Sequence, residues 1–494
     1  MRGSTAVRSL QSWLVTGPRV RRVIAVLLLS AIVGLTVGGL FAFLGPLLAV
    51  ALLLGLTGGL LLLRSMQLTL YATVAIIFLL PYGSVPVPDI GFTPTFLDVT
   101  LGILIVSWLF RLARKKQEEV ILPPGTIPLV LFMGLACLSF IIGLSYGPLT
   151  TNLLRHFVEF LLALFLVFLI ANNVRGPRSV GDVLTVIILA GFATAVLGLV
   201  LYFLPKDLTV RLLSALRVFH YPAGDTVLRY VENDSSLPLR ATSTAIDPNS
   251  LGGLLLFATA LATPQLLTPD PLPIFRRGLH WRGINWIVVP IWATMAVCLI
   301  LTYSRSAMLG LAVAGTLLVF LHYRRFLVLL LVIALVILLL PPTQYYVDRF
   351  IVGFRGEDLA TQMRFGEYKD ALTLISRYPL LGVGFAGAPD IDTYIGVSSV
   401  YLLLAEEMGL LGLLTFFVIL GIAVVHMWRG LAPLAGRPRD EAILLAFLTA
   451  LVGVMVTSVL DHYYFNINFQ PAVTLFWLCL ALGLSCTLPE LAAR

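Results

Sequence analysis

Residues 152–204 read NLLRHFVEFLLALFLVFLIANNVRGPRSVGDVLTVIILAGFATAVLGLVLYFL. Two apolar runs, 152–172 and 180–204, each reach the roughly 20 residues needed to cross a hydrocarbon core about 30 Å thick, and a short basic turn with Arg175 and Arg178 joins them. This is the pattern of a chain that crosses a membrane and returns. It extends in both directions, with further runs at 23–43, 46–63, 67–82, 97–113, 126–145, 250–267, 284–303, 306–322, 325–341, 398–427, 441–460 and 469–488. The reading predicts an all-α polytopic membrane protein of about 14 transmembrane helices, forming a single multi-pass domain over 1–494. The first run follows a basic segment but continues into a second run with no small-residue cleavage site, so it is expected to stay in the mature chain.

Composition agrees with the pattern. The chain is 59% hydrophobic and only 12% charged, whereas a soluble domain carries about 25% charged residues to wet its surface. Its mean hydropathy is +0.99. Lys and Arg in the short loops set the orientation, because such loops stay in the cytoplasm. The alternating loops with Arg64, Arg111 to Lys116, Arg175 and Arg178, Arg276 to Arg282, Arg324 and Arg325, and Arg429 to Arg439 are basic, which puts both termini in the cytoplasm. The opposite loops are nearly free of basic residues, except for two long external segments, 205–249 and 342–396. These hold Lys206, Arg211, Arg217, Arg229, Arg240, Arg349, Arg355, Arg364, Lys369 and Arg377.

The net charge of +8 is thus divided between cytoplasmic and external loops, with no basic stripe interleaved with aromatics, and no nucleic-acid partner is expected. Cys137, Cys298, Cys479 and Cys486 fall inside apolar runs without ligand spacing and read as packing residues. Two amphipathic stretches stand in the external segments. One is a helix over 206–219, with Leu208, Leu212, Leu216 and Phe219 on a face suited to the membrane interface. The other begins near Arg364 and ends before Pro379, with Phe365, Tyr368, Leu372 and Ile375 on one face and polar groups on the other.

Four local patterns bear on chemistry. Arg240 precedes Asp247-Pro248-Asn249, which reads as a turn and helix cap, while an external arginine beside a span can face an anion held at the surface. Arg305, in Thr302-Tyr303-Ser304-Arg305-Ser306, lies close to hydrocarbon, where it either snorkels to the interface or faces a polar cavity. Arg364 opens a run to Arg377 and Pro379-Leu-Leu-Gly382-Val-Gly384, in which Glu367 and Asp370 read as a solvated helix face. Last come Tyr401 to Gly412, with Glu406 and Glu407 inside an apolar run, and Asp461-His462-Tyr463-Tyr464. Arg155 and Glu159 have the i, i+4 spacing of a pair that satisfies itself within one helix.

Taken in order over 240–485, these motifs resemble the O-antigen ligase and O-antigen polymerase superfamily. The resemblance implies a metal-independent, inverting glycosyltransferase at the outer face of the bacterial cytoplasmic (inner) membrane. The donor would be an undecaprenyl-pyrophosphate-linked glycan, and the acceptor a sugar hydroxyl of lipid A core or of a second lipid-linked glycan. No cofactor and no metal are implied. Arg240, Arg305, Arg364 and Arg377 would bind the pyrophosphate, since a guanidinium stays charged and pairs with phosphate oxygens two at a time.

The sequence departs from the family at one point. Members carry His-Asn three and two residues before the tyrosine matching Tyr401, and that histidine is a proposed general base; here the positions are Ser398 and Ser399. Serine does not take up a proton at neutral pH unless itself activated. Asp461 and His462, at the external end of the thirteenth run, are the substitutes expected for the base, or the base is dispensable with so good a leaving group. A lipid-linked oligosaccharide flippase or other secondary transporter is the alternative reading, and a glycan polymerase of the related shape-and-division family is a third. Against the transporter, the chain shows no repeated halves and its polar groups gather on one side.

Overall fold

The computed structural model describes residues 23, 30, 31, 35, 55, 57–86, 93–113, 120–276, 280, 281, 283–339, 344, 347, 348, 351–353, 355–357, 359–387, 389 and 396–490. By internal contacts the chain forms two units, 1–66 and 67–494. In the first, residues 57–64 are helical. The expected runs 23–43 and 46–63 fall largely outside the described residues, as does much of the segment 342–396.

The second unit is a helical body. Its helices are α1 (Met66–Leu79), α2 (Phe96–Ala113), α3 (Thr126–Gly143), α4 (Thr151–Asn173), α5 (Gly176–Phe203), α6 (Lys206–Ala215), α7 (Pro248–Leu267), α8 (Val288–Leu301), α9 (Arg305–Leu321), α10 (Leu327–Leu339), α11 (Leu359–Arg377), α12 (Val400–Leu434), α13 (Pro438–Leu460) and α14 (Gln470–Cys486). Two-residue antiparallel ladders join β1 (Arg229–Tyr230) to β2 (Leu239–Arg240) and β3 (His280–Trp281) to β4 (Ile284–Asn285). Among the described residues, seven helices are long and apolar enough to cross a membrane: α2, α3, α4, α5, α7, α12 and α13. Helices α1, α8, α9 and α14 are apolar but shorter. The protein is therefore a multi-pass, all-α membrane protein; seven of the described helices reach spanning length and four more are apolar but shorter.

Burial explains which apolar helices lie where. Helix α7 is apolar on every side and almost wholly enclosed, as a helix without a polar stripe must be when neighbours surround it. Helices α5, α8, α9 and α13 pack around it, and α14 packs against α4. Helix α3, by contrast, leaves Ile127, Val130, Leu131, Leu138 and Ile141 exposed, an outward apolar surface suited to lipid rather than water. Between these layers, Phe132, Phe160, Phe465 and Trp477 interlock, with Phe132 reaching the other three at 6.4, 6.4 and 6.1 Å between ring centroids. Phe385 joins the cluster at 6.2 Å from Phe160, so the chain that follows α11 is anchored in the core.

Helix α12 is broken. At Gly409 the backbone takes φ 69°, ψ −178°, and the loop after α11 fills the gap. Val383 N–H donates to the Glu406 carbonyl at 2.8 Å and Gly384 N–H to the Glu407 carbonyl at 2.9 Å. In the other direction Leu410 N–H donates to the Pro379 carbonyl at 2.7 Å. The backbone groups freed by the break are thus re-bonded within protein, which is the condition for non-helical chain at membrane depth. Gly409 has φ +69°, and a Cβ there would stand 2.2 Å from the Leu380 carbonyl oxygen; Gly382, at φ +68°, would meet the Glu406 oxygen at 2.4 Å. The Pro-Leu-Leu-Gly-Val-Gly and Glu-x-Gly patterns are therefore two halves of one backbone lock.

The two amphipathic helices of the polar segments differ in how their faces are used. Helix α6 turns Leu213 inward, against Leu201 and Val227, and leaves Leu208 and Leu212 exposed. Helix α11 buries Ala371 and Leu374, with Arg364, Glu367 and Tyr368 half-buried on the same side, while Met363, Phe365 and Leu372 face outward. Arg364, Glu367 and Tyr368 thus share the inward side with Ala371 and Leu374, while Gln362, Lys369, Ser376 and Arg377 are exposed with the outward apolar residues. Arg155 and Glu159 interact electrostatically, as their spacing suggests, and each has further partners: Arg155 donates to the Thr93 carbonyl at 2.5 Å and meets His156 Nε2 at 2.6 Å, and Glu159 accepts from Thr95 Oγ1 at 3.4 Å.

Candidate active site

The turn between α8 and α9, Thr302-Tyr303-Ser304, is where the separated motifs meet. Its sharpness comes from Tyr303 at φ 54°, a left-handed conformation costly for a non-glycine residue. Ser243 and Ile246, ahead of α7, also have positive φ, at 49° and 63°. Such conformations persist only where the surroundings hold them, and they concentrate at functional sites.

Arg240 reaches this turn from β2. Its Nε donates to the Thr302 carbonyl at 2.7 Å and its Nη2 to Asn249 Oδ1 at 2.7 Å, while Ala241 N–H donates to the Leu301 carbonyl at 2.8 Å. One acceptor is a backbone carbonyl and the other a side-chain amide oxygen, and together they orient the guanidinium. Asp247 is the α7 cap read from the sequence, accepting from Ser250 N–H at 2.8 Å. Arg305 is the first residue of α9, and its Nη2 lies 3.5 Å from Thr361 Oγ1 in α11.

One turn along, Ser306 Oγ donates to Asp461 Oδ2 at 2.8 Å, and the same carboxylate oxygen lies 3.7 Å from Arg364 Nη2. Asp461 is 5% exposed. Burial pushes its carboxyl above the usual carboxylate range, opposed first by the Arg364 guanidinium, then by His462 and the Ser306 hydroxyl. Arg240 and Asp461 are thus bonded to the segment 302–306, Arg305 belongs to it, and Arg364 reaches it only through Asp461. Arg377 is not among them. It ends the helix that Arg364 occupies, 13 residues on, which at 1.5 Å per residue is about 20 Å.

His462, beside Asp461, stacks edge-on against Phe469 at 5.4 Å, and its Nδ1 is buried without a hydrogen bond. Helix α11 supplies two groups that the reading of its faces missed. Glu367 Oε2 accepts from Ser398 N–H at 2.9 Å and Tyr368 donates its hydroxyl to the Ser398 carbonyl at 3.3 Å. Val400 N–H in turn donates to the Asp461 carbonyl at 3.2 Å. The chain at Ser398 and Ser399 is thereby clamped next to Asp461. The signal for Glu367 was present as its i, i+3 spacing from Arg364, which places both on one helix face. Glu406 and Glu407 are buried in α12, and neither Glu406 oxygen has a hydrogen-bond partner.

Residues 291–417, 127 of 494, match the family model described as O-Antigen ligase. The matched segment holds most of α8, the 302–306 turn, α9, α11 and both halves of the lock, and it supports the assignment of the chain to the O-antigen ligase superfamily. A comparison with curated proteins gives no match.

Proposed function

We propose that this O-antigen ligase superfamily protein is a glycosyltransferase that moves a glycan from undecaprenyl pyrophosphate to an acceptor sugar hydroxyl, on lipid A core or on another lipid-linked repeat. The reaction takes place at the outer face of the bacterial cytoplasmic membrane. The observation that carries the reading is the tie between Arg364, Asp461 and Ser306 beside a turn that also receives Arg240 and begins with Arg305 close by.

The parts divide the work. Arg240, Arg305 and Arg364 hold the pyrophosphate and stabilise the charge that grows on it as the bond to the anomeric carbon breaks. No metal takes part in this reading, because guanidinium groups carry the neutralising charge. Asp461 is the general base. It accepts the proton of the acceptor hydroxyl as that oxygen bonds to the anomeric carbon from the face opposite the leaving group, so the configuration inverts and undecaprenyl pyrophosphate departs. Its buried setting raises its affinity for a proton, and its position beside Ser398 puts it where the family histidine is missing. Ser306 and Arg364 keep the carboxylate oriented. Arg377, at the far end of α11, is left outside this centre in the present reading.

One observation favours the alternative, a lipid-linked oligosaccharide flippase or other secondary transporter: broken helices such as α12 are common in transporters. Here the break is bonded on both sides by 379–384, which supports a fixed lock over a moving gate. The test is product analysis with purified protein in lipid, given undecaprenyl-pyrophosphate glycan, beside Arg364→Ala and Asp461→Asn. Formation of a longer lipid-linked glycan, or of glycosylated lipid A core, supports the transferase; translocation without consumption supports the transporter.

A further inference from the structure

Helix α6 is the element of the polar segment 205–249 that the site does not use. It follows α5 directly, and α5 shows where the lipid lies. Val196, Val200 and Phe203 form one line along that span, at i, i+4 and i+7, and all three are exposed, Phe203 at 73%. An outward apolar line on a spanning helix faces hydrocarbon. After Pro205 the chain turns into α6 and the apolar surface continues: Leu208 and Leu212, one turn apart, are exposed at 41% and 48%, with exposed Ala215 on the next turn.

The other side of α6 is fixed to the protein. Leu213 packs against Leu201 and Val227, and Thr209 Oγ1 donates to the Leu201 carbonyl at 2.8 Å. Gly224 N–H donates to Ser214 Oγ at 2.9 Å, and Lys206 Nζ lies 5.1 Å over the ring of Tyr230 in β1. The stripe is therefore held outward. Leu216 and Phe219, placed on the same face by the sequence pattern, leave it: Leu216 packs on the Leu201, Leu213 and Val227 cluster, and Phe219 stands edge-on to Phe96 at 5.5 Å.

Two arginines flank the stripe. Arg211 stands at i+3 from Leu208, and Arg217 follows beside exposed Val218. Both are exposed, and neither forms an ion pair with a described carboxylate. A short apolar stripe with guanidinium groups at its edge, continuous with a lipid-facing span, has the build of a helix lying in the membrane interface. The leucines suit the acyl boundary and the arginines suit headgroup phosphate.

We propose that α6 is an interfacial anchor for anionic phospholipid. Leu208 and Leu212 enter the leaflet at the end of α5, and Arg211 and Arg217 bind the headgroups around them. Through Leu213, Ser214 and Lys206 the anchor holds the base of the β1–β2 hairpin, and with it Arg240, at headgroup height. The ligand is bulk lipid, so the inference rests on the membrane topology and not on the pyrophosphate reading.

The experiment uses the full-length chain with Leu212→Cys carrying a bimane fluorophore, in phosphatidylcholine vesicles that contain brominated phosphatidylcholine or, at equal mole fraction, brominated phosphatidylglycerol. The labelled parent chain gives the background from its own cysteines. Ser235→Cys, exposed in the hairpin turn, is the water reference, and Ile141→Cys, on the outward side of α3, is the lipid reference. The label at 212 is expected to be quenched as at 141, and the label at 235 is not. One Lys or Arg beside an anionic surface is worth about fivefold in affinity. Brominated phosphatidylglycerol is therefore expected to be preferred over phosphatidylcholine at 212 by roughly fivefold or more, with the preference lost in Arg211→Gln/Arg217→Gln and absent at 141. A label at 212 that neither lipid quenches would overturn the anchor. Equal quenching by the two lipids, or a preference that survives the double arginine substitution, would overturn headgroup binding by Arg211 and Arg217. The donor enters none of these readings, so their failure is separate from any failure of the transferase.

Discussion

Asp461 Oδ2 stands 3.7 Å from Arg364 Nη2 and accepts the Ser306 hydroxyl at 2.8 Å, which joins the end of α13 to helix α11 and to the first turn of α9. Both charges are largely withdrawn from water, with side-chain exposures of 22% for Arg364 and 6% for Asp461. Removing either member strands the other, and breaking a buried pair typically costs about 3–5 kcal/mol. Conservative substitutions are therefore the informative ones.

Asp461→Asn keeps the shape and the Ser306 contact but removes the proton acceptor. Loss of a positioned general base typically costs about 10²- to 10⁴-fold in rate. We expect kcat to fall by that order while the KM for the lipid donor stays within about threefold, since the arginines remain. Steady-state kinetics over a donor titration checks this, and an unchanged kcat removes Asp461 from the chemistry.

The pH profile carries the same information with a sign. Burial raises the Asp461 carboxyl above the usual carboxylate range, so the active, deprotonated form is lost, as pH falls, earlier than for an exposed aspartate. The Ser306 donor and the Arg364 charge both favour the ionised form. Ser306→Ala should therefore move the acid limb of kcat to higher pH, and no shift or an opposite shift argues against Asp461 as the titrating group.

Arg377 provides a negative prediction. It lies about 20 Å along α11 from Arg364, by the helical rise of 13 residues. Arg377→Ala should leave donor KM and kcat within about threefold, whereas Arg364→Ala should lower kcat/KM at least a hundredfold. Equal effects of the two substitutions would mean that the phosphate extends along the helix rather than sitting at its start.

The lock between α12 and the loop at 379–384 predicts a stability effect without a chemical one. Gly409→Ala forces a Cβ into φ +69° and against the Leu380 carbonyl, and the backbone conformation alone costs roughly 1–3 kcal/mol. Gly134→Ala, in α3 with open space around the new methyl, is the control and should be neutral or mildly stabilising. Thermal unfolding in detergent separates the two, and matched midpoints would show that the break is not held as described.

Legibility differed between the arginines and the elements that carry them. Arg240, Arg305 and Arg364 stood out because a fixed charge beside an apolar run is expensive without a purpose. Their meeting at 302–306 was not readable, since it depends on the hairpin at 229–240 and on the inward tilt of α11, neither of which leaves a periodic trace. Helix α11 shows why: both its faces mix apolar and polar residues, burying Ala371 and Leu374 beside half-buried Arg364 and Glu367 while Phe365, Leu372 and Lys369 are exposed, so its pattern alone does not say which side is inward. The break at Gly409 was hidden for a related reason, because hydropathy runs on through 398–427 although the backbone does not. Short apolar helices such as α8 and α9 coincide with the expected runs 284–303 and 306–322, so the apolar pattern located them although each is shorter than a full span.

The most direct test of the account is glycan transfer by the purified protein in lipid, supplied with undecaprenyl-pyrophosphate glycan and acceptor in the presence of EDTA. The account predicts a product of inverted anomeric configuration, free undecaprenyl pyrophosphate in equal amount, and no loss of rate with EDTA. Bound donor that is moved across the bilayer but never consumed, or transfer that EDTA abolishes and a divalent ion restores, would contradict it.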